Sequence, residues 1–172
     1  MAGTAVVSPD PDGVRSKMTD SHDELPTDPD TGQRPLHLRV GALFCVLVGG
    51  TLGTAARYVW ETLVPTPEGA WPWATFSVNL LGALLLGALL EALVRAGGDS
   101  GWRQRVRLLA GTGLCGAFTT YSTLALEVSR LGSAGHADTA VAYGLVSVLG
   151  GVLMAWLGII VAASVHRRRA RT

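Results

Sequence analysis

Glycines and hydroxyl side chains interrupt one long apolar stretch, and these residues are the best suited in the chain to ion chemistry. The segment 111–127 reads GTGLCGAFTTYSTLALE. Three glycines precede four hydroxyl groups there: Gly111, Gly113 and Gly116, then Thr119, Thr120, Ser122 and Thr123. These are weak helix formers, and a helix break inside a membrane is tolerated only where it is buried in protein or lines a polar cavity. The carbonyls freed by such a break can coordinate a cation. The alternative is a slightly kinked packing helix whose hydroxyls bond back to its own carbonyls.

Three further polar residues lie in or near other apolar stretches, and each has two readings. Asn79 can offer amide donors to a small anion or hydrogen-bond to a neighbouring helix. Arg57 can place a positive charge at an aqueous vestibule or extend its side chain to the membrane surface. Ser147 can line a polar path or bond back to its own helix.

Long apolar runs must position these residues. The chain has 172 residues, 48% hydrophobic and 16% charged, which is too apolar for an ordinary soluble domain. Apolar runs cover about 38–63, 73–94, 106–131 and 137–165, and each exceeds the roughly 20 residues needed to cross a bilayer. Prolines and glycines interrupt the connections. The sequence therefore predicts an all-α membrane protein with four transmembrane helices in domain 37–166, the third helix broken in mid-membrane.

The two ends of the chain differ from this domain. Residues 1–36 are rich in proline and acidic residues and poor in large apolar ones, which predicts a disordered tail. Residues 167–172 form a short basic tail. The net charge of +1 gives no reason to expect nucleic acid as a partner.

Three motifs in this order resemble those of the Fluc (CrcB) family of bacterial fluoride channels: GGTLGTAARY, VNLLGALLLG around Asn79, and GAFTTYSTLALE. The resemblance covers residues from about 41 to the end. It implies a passive fluoride-selective channel that exports cytoplasmic fluoride. It also implies an antiparallel dimer of four-helix subunits and a structural sodium ion at the dimer centre.

The resemblance also implies roles for particular residues. Main-chain carbonyls of Gly116 and Thr119 would hold the sodium ion, and Arg57 would lie in the vestibule. The fluoride pathway would include a set of polar and aromatic side chains: Asn79, Tyr121, Ser122 and Thr123. Ser147 is added to this set because it is a polar residue inside the fourth apolar run, and not because of the resemblance. The chain departs from the family pattern at two phenylalanines whose ring edges contact fluoride. Tyr121 stands at the first position and keeps a ring, whereas Leu124 stands at the second and has none.

The basic residues predict one orientation in the membrane. With four spans, both termini share a side with the second connection, and that side holds twelve of the fourteen lysines and arginines. Only Arg57 and Arg130 lie towards the other side. The positive-inside rule then predicts an inner-membrane protein with cytoplasmic termini. An antiparallel dimer therefore calls for an oppositely oriented homologous subunit, the alternative being a second copy of this chain.

Two other membrane functions compete with the channel. A small multidrug transporter needs an acidic residue inside the membrane, and the first span has none. A non-conducting partner of a homologous channel chain fits the incomplete aromatic pair. An enzyme is disfavoured, because the sequence has no nucleophile–base pair, metal cluster or phosphate loop.

Overall fold

The computed structural model describes residues 39–67 and 69–169, and this part of the chain is helical without strands. Six α-helices and one π-helical segment follow in chain order: α1 Val40–Leu63, α2 Trp73–Ala96, α3 Trp102–Val106, the π segment Arg107–Cys115, α4 Gly116–Phe118, α5 Tyr121–Ser133 and α6 Ala137–Arg169. The predicted all-α fold class is confirmed for these residues.

Three of the helices, α1, α2 and α6, are long and apolar enough to cross a membrane. Helices α1 and α2 have 24 residues each and α6 has 33. At about 1.5 Å per residue, 24 residues extend roughly 36 Å, which exceeds the hydrocarbon thickness of about 30 Å. Most of their apolar side chains are exposed. These surfaces therefore require lipid or another subunit as their surroundings.

The predicted third span, residues 106–131, is divided into several pieces. It begins earlier than predicted, at Trp102, and continues without interruption to Phe118 through the wider turns of the π segment. Thr119 (φ −79°, ψ 158°) and Thr120 (φ −149°, ψ 121°) are extended. Helix α5 then begins at Tyr121 and ends two residues later than predicted, at Ser133.

Glycines bring these elements into main-chain contact. A Cβ added to Gly53 of α1 would overlap the Leu114 carbonyl of the π segment, and one added to Gly158 of α6 would overlap the Leu84 carbonyl of α2. Such close approach is the usual role of small residues in membrane helices. The π segment therefore packs on α1, and α2 packs along α6.

The predicted terminal segments are only partly described. The proposed disordered tail, residues 1–36, lies outside the described residues. Of the proposed basic tail, residues 167–169 continue helix α6, and residues 170–172 lie outside.

Candidate functional site

Asn79 holds in place the extended residues Thr119 and Thr120, which interrupt the third element of the fold, Trp102–Ser133 (α3, the π segment, α4 and α5). Its Nδ2 donates to the Thr120 carbonyl (3.0 Å), and its Oδ1 accepts from the Thr120 N–H (2.8 Å). One side-chain amide of α2 therefore pairs with both main-chain groups of a residue that is only 7% exposed. Because buried main-chain groups need partners, this pairing permits a break that would otherwise be costly. One Nδ2 hydrogen remains available.

The same bonds explain why two particular carbonyls lose their helical partners. In a continuous helix, the Thr120 N–H would donate to Gly116 and the Thr123 N–H would donate to Thr119. Here the Thr120 N–H donates to Asn79, and the Thr123 N–H donates to Thr120 Oγ1 (3.1 Å). The carbonyls of Gly116 and Thr119 therefore do not receive the hydrogen bonds that a continuous helix would give them.

A chain of hydroxyl groups begins at Thr120. Its Oγ1 lies 3.2 Å from Ser122 Oγ and donates to Thr123 Oγ1 (3.0 Å). Because it also accepts from the Thr123 N–H, Thr120 is the N-cap of α5. Three of the four hydroxyls predicted from sequence are therefore joined to one another and, through Thr120, to Asn79. The fourth, Thr119 Oγ1, instead donates back to the Cys115 carbonyl of its own helix (2.9 Å).

A groove of about 710 Å³ opens over the break between α2, the third element and α6. Six residues that bear on the predicted ion chemistry line it: Asn79, Gly116, Thr119, Thr120, Tyr121 and Ser147. Tyr121 is 82% exposed, whereas Leu124, which also lines the groove, is 8% exposed. A Cβ at Gly116 would meet no atom within 4 Å, so the subunit itself does not require glycine at this position.

Ser147 brings an unsatisfied hydroxyl to this groove. The residue is 6% exposed, yet its Oγ has no hydrogen-bond partner among the described residues. The Tyr143 hydroxyl lies nearby, one turn earlier on α6, and donates to Glu127. The alternative reading of Ser147, a back-bond to its own helix, is not found. A buried donor without a partner is costly, and this one adjoins a groove large enough to hold a small ligand.

A second polar cluster lies beside the first and was not singled out from the sequence. Glu127 of α5 accepts from Thr75 Oγ1 (2.8 Å) through one carboxylate oxygen and from the Tyr143 hydroxyl (2.7 Å) through the other. Thr75 and Tyr143 are almost wholly buried. Spacing offered a signal: Thr75 and Asn79 are four residues apart, as are Tyr143 and Ser147, so each pair shares one helix face.

Arg57 is not among the residues that line the groove. It lies on α1, and its guanidinium pairs with Glu61 one turn later at 3.8 Å. The structure thus brings Asn79, Gly116, Thr119, Tyr121 and Ser147 together at one groove. Ser122 and Thr123 contact Thr120 but do not line the groove, and neither does Arg57. The part of the chain that is described contains no cluster of residues suited to bind a metal through side chains.

A multi-pass membrane protein whose polar groups converge on a helix break belongs to the class of membrane transport proteins. Residues 44–159 match the family model described as CrcB-like protein, Camphor Resistance (CrcB). The chain belongs to this family, and the family predicted from sequence is confirmed.

Several relatives are described as fluoride-specific ion channels of the FluC type. The chain is 44% identical over 125 residues to the fluoride-specific ion channel FluC 1 of Cutibacterium acnes, covering 73% of this chain and 87% of that protein. It is 39% identical over 135 residues to FluC 2 of Leifsonia xyli subsp. xyli, covering 78% and 92%. It is 42% identical over 117 residues to FluC 2 of Moorella thermoacetica, covering 67% and 92%.

Proposed function

We propose that this chain is a subunit of a fluoride-selective channel through which fluoride leaves the cell passively. The observation that carries the proposal is the Asn79–Thr120 pairing, which stabilises an extended break facing a groove with unused polar groups. The relatives named as fluoride-specific channels support the choice of ion. A channel of this kind is not an enzyme.

The proposed fluoride path uses neutral hydrogen-bond donors. Asn79 has one remaining amide hydrogen, and Ser147 has a hydroxyl without a partner. The hydroxyls of Ser122 and Thr123 and the exposed ring of Tyr121 continue the path. Such groups replace part of the hydration shell of an anion without binding it permanently. Arg57 stands apart on α1, and we assign it to the vestibule, where a positive charge raises the local concentration of anions.

In addition to α1, α2 and α6, the third element, from Trp102 to Ser133, is proposed to cross the membrane. It would be broken within the bilayer at Thr119 and Thr120. The freed carbonyls of Gly116 and Thr119 fit a hard cation, which prefers oxygen ligands. An antiparallel two-fold partner would present the same pair of carbonyls, so that four main-chain oxygens would surround a sodium ion on the axis. When bound, the ion would attract the carbonyl oxygens of both subunits and offset the repulsion between them across the interface.

The open surroundings of Gly116 support a partner at this position. Nothing within the subunit lies within 4 Å of a Cβ added there, although the residue lines the groove. An approaching second subunit would occupy this space. The twelve-to-two distribution of basic residues favours cytoplasmic termini, and therefore a homologous partner inserted in the opposite orientation.

The test of function is fluoride efflux from liposomes that contain the purified chain alone or with a homologous partner. We expect fluoride to leave without a coupling ion and chloride to remain inside. Equal chloride and fluoride efflux would refute selectivity. Flux that depends on a proton gradient would support the transporter alternative. Activity of the partner alone, unchanged by adding this chain, would assign the chain a non-conducting role.

Orientation is tested separately, by labelling a single cysteine introduced at the C-terminus of a chain in which Cys45 and Cys115 are replaced by serine. In intact cells we expect an impermeant thiol reagent to leave it unmodified until the membrane is permeabilised. Equal labelling from both sides, combined with fluoride flux from this chain alone, would show that one chain inserts in both orientations and needs no homologue.

A further inference from the structure

A second cavity lies at the C-terminal end of α2, far along the helix from Asn79. Its volume is about 520 Å³. One wall is apolar and consists of Leu90, Leu93 and Val94 of α2. The opposite rim is polar and consists of residues 97–99 of the connection, together with Arg103 and Arg107. The cavity is therefore amphiphilic.

The rim carries an excess of positive charge. Arg107 pairs with Asp99 at 2.7 Å, which neutralises both groups. Arg103 donates from Nε to the Gly98 carbonyl (2.6 Å), and its guanidinium lies about 3.5 Å from where a Cβ of Gly97 would be. The two Nη groups of Arg103 have no hydrogen-bond partner among the described residues. The Arg103 guanidinium lies 5.8 Å from the centroid of the Trp102 ring, but no carboxylate among the described residues pairs with it. The rim thus keeps one cation without a counter-charge and with donors still available.

The position of this cavity along the helices corresponds to a membrane surface. It lies where the apolar run of α2 ends, and the neighbouring Trp102 is 60% exposed, as expected for an aromatic side chain at an interface. Leu80 of α2 approaches Gly150 of α6, and Ala88 approaches Gly158, so the two helices run in parallel at a constant offset.

The same offset adds further cations at this level. It brings Arg167 and Arg168 of α6, both exposed, to the height of the α2 terminus. Arg105 of α3, two residues from both Arg103 and Arg107 and also exposed, adds another positive charge. Among the described residues, the acidic groups at this end are Asp99, which is paired with Arg107, and Glu91, which is paired with Arg95.

We propose that this cavity binds the headgroup of an anionic phospholipid. The phosphodiester would accept from Arg103, with Arg107 beside it, while the upper acyl chains would lie on Leu93 and Val94. Guanidinium groups bind phosphate through paired hydrogen bonds, and basic pockets between membrane helices suit anionic headgroups. A free phosphate would use only the rim, so the apolar wall favours a lipid. The site is independent of the fluoride pathway.

The test is the melting temperature of the purified full chain in detergent, measured with added phosphatidylglycerol or phosphatidylcholine. We expect phosphatidylglycerol to raise the melting temperature several degrees more than phosphatidylcholine. Arg103→Gln should remove at least half of this difference. Arg95→Gln is the control for charge, because it also removes one positive charge near the C-terminal end of α2, but Arg95 is paired with Glu91 and does not line the cavity. A second variant, Val94→Glu, places a carboxylate on the apolar wall at a position that is 74% exposed, and should abolish the difference.

Three results would overturn the proposal. Equal losses in Arg103→Gln and Arg95→Gln would mean that the lipid responds to diffuse charge rather than to this cavity. An equal shift from soluble glycerol phosphate would assign the rim to free phosphate. An equal shift from a peptide corresponding to residues 10–30 would assign the cavity to the acidic segment of the chain itself.

Discussion

Replacing Asn79 tests whether the break depends on one side chain of another helix. Asn79→Leu keeps the branched shape and the number of side-chain heavy atoms, and it removes both hydrogen bonds to Thr120. Asn79→Asp keeps the acceptor for the Thr120 N–H but turns a carboxylate oxygen towards the Thr120 carbonyl. Both changes leave the apolar packing of α2 largely intact.

The size of the effect follows from the burial of Thr120. Its N–H and carbonyl would both lose their partners at a residue that is 7% exposed. Each unsatisfied buried group costs about 1–3 kcal/mol, so Asn79→Leu should destabilise the extended conformation by about 2–6 kcal/mol. A continuous helix offers relief, because the Thr120 N–H could then donate to Gly116. Even about 2 kcal/mol shifts such an equilibrium roughly thirtyfold.

Initial fluoride efflux from liposomes measures the consequence. We expect Asn79→Leu to lower the rate at least about thirtyfold, in line with the shift above, and Asn79→Asp to abolish it because a negative charge then faces the anion path. Thr51→Val is the matched control, since it removes a hydroxyl that bonds only to its own helix. Wild-type efflux from correctly assembled Asn79→Leu protein would refute both the dependence of the break on the Asn79–Thr120 pairing and the part of that pairing in conduction.

Three further substitutions test neighbouring features. Tyr143→Phe leaves one oxygen of Glu127 without its donor and should lower the free energy of unfolding by about 1–3 kcal/mol, measured by denaturant titration; an unchanged value would show that water replaces the phenol. Thr120→Val removes the N-cap of α5 and should cost about 1 kcal/mol in the same measurement; no loss would contradict the capping role. Gly113→Ala should destabilise the subunit itself, because its Cβ would come within 2.8 Å of the α1 main chain, whereas Gly116→Val should spare the subunit and weaken its association, as measured by cross-linking. Normal assembly of Gly116→Val would argue against a partner at this surface.

Sequence reasoning found the helices because their signal is local. Apolar length predicts a membrane helix directly, and α1 and α2 begin and end within two residues of the predicted bounds 38–63 and 73–94. Helix α6 was predicted to end at 165 and extends to Arg169, because a helix does not have to end where its apolar run does. The π segment was missed, since its wider turns leave no mark in hydrophobic periodicity.

The site was predicted by residue type better than by interaction. Asn79 was placed beside the ion path, but its two bonds to Thr120 join residues 41 positions apart, which one sequence cannot reveal. Glu127 was not singled out from the sequence, although it unites Thr75 and Tyr143. Polar partners on different helices become visible only once the helices are packed.

Gly116 illustrates the same limit. Its position before a break indicated a conformational need for glycine, yet its φ of −64° suits any residue and its surroundings are open. What the glycine accommodates therefore lies outside the subunit.

The freed carbonyls at the break have a consequence for how this protein tolerates variation. Main-chain oxygens are the same in every amino acid, so a substitution at Thr119 changes the ligand atom itself very little. The geometry of those oxygens depends instead on Asn79, which lies on another helix and contributes no carbonyl to them. In a saturation mutagenesis experiment, the proposed cation site would therefore show its intolerance to substitution at Asn79 rather than at Thr119, and a search for liganding side chains would overlook it.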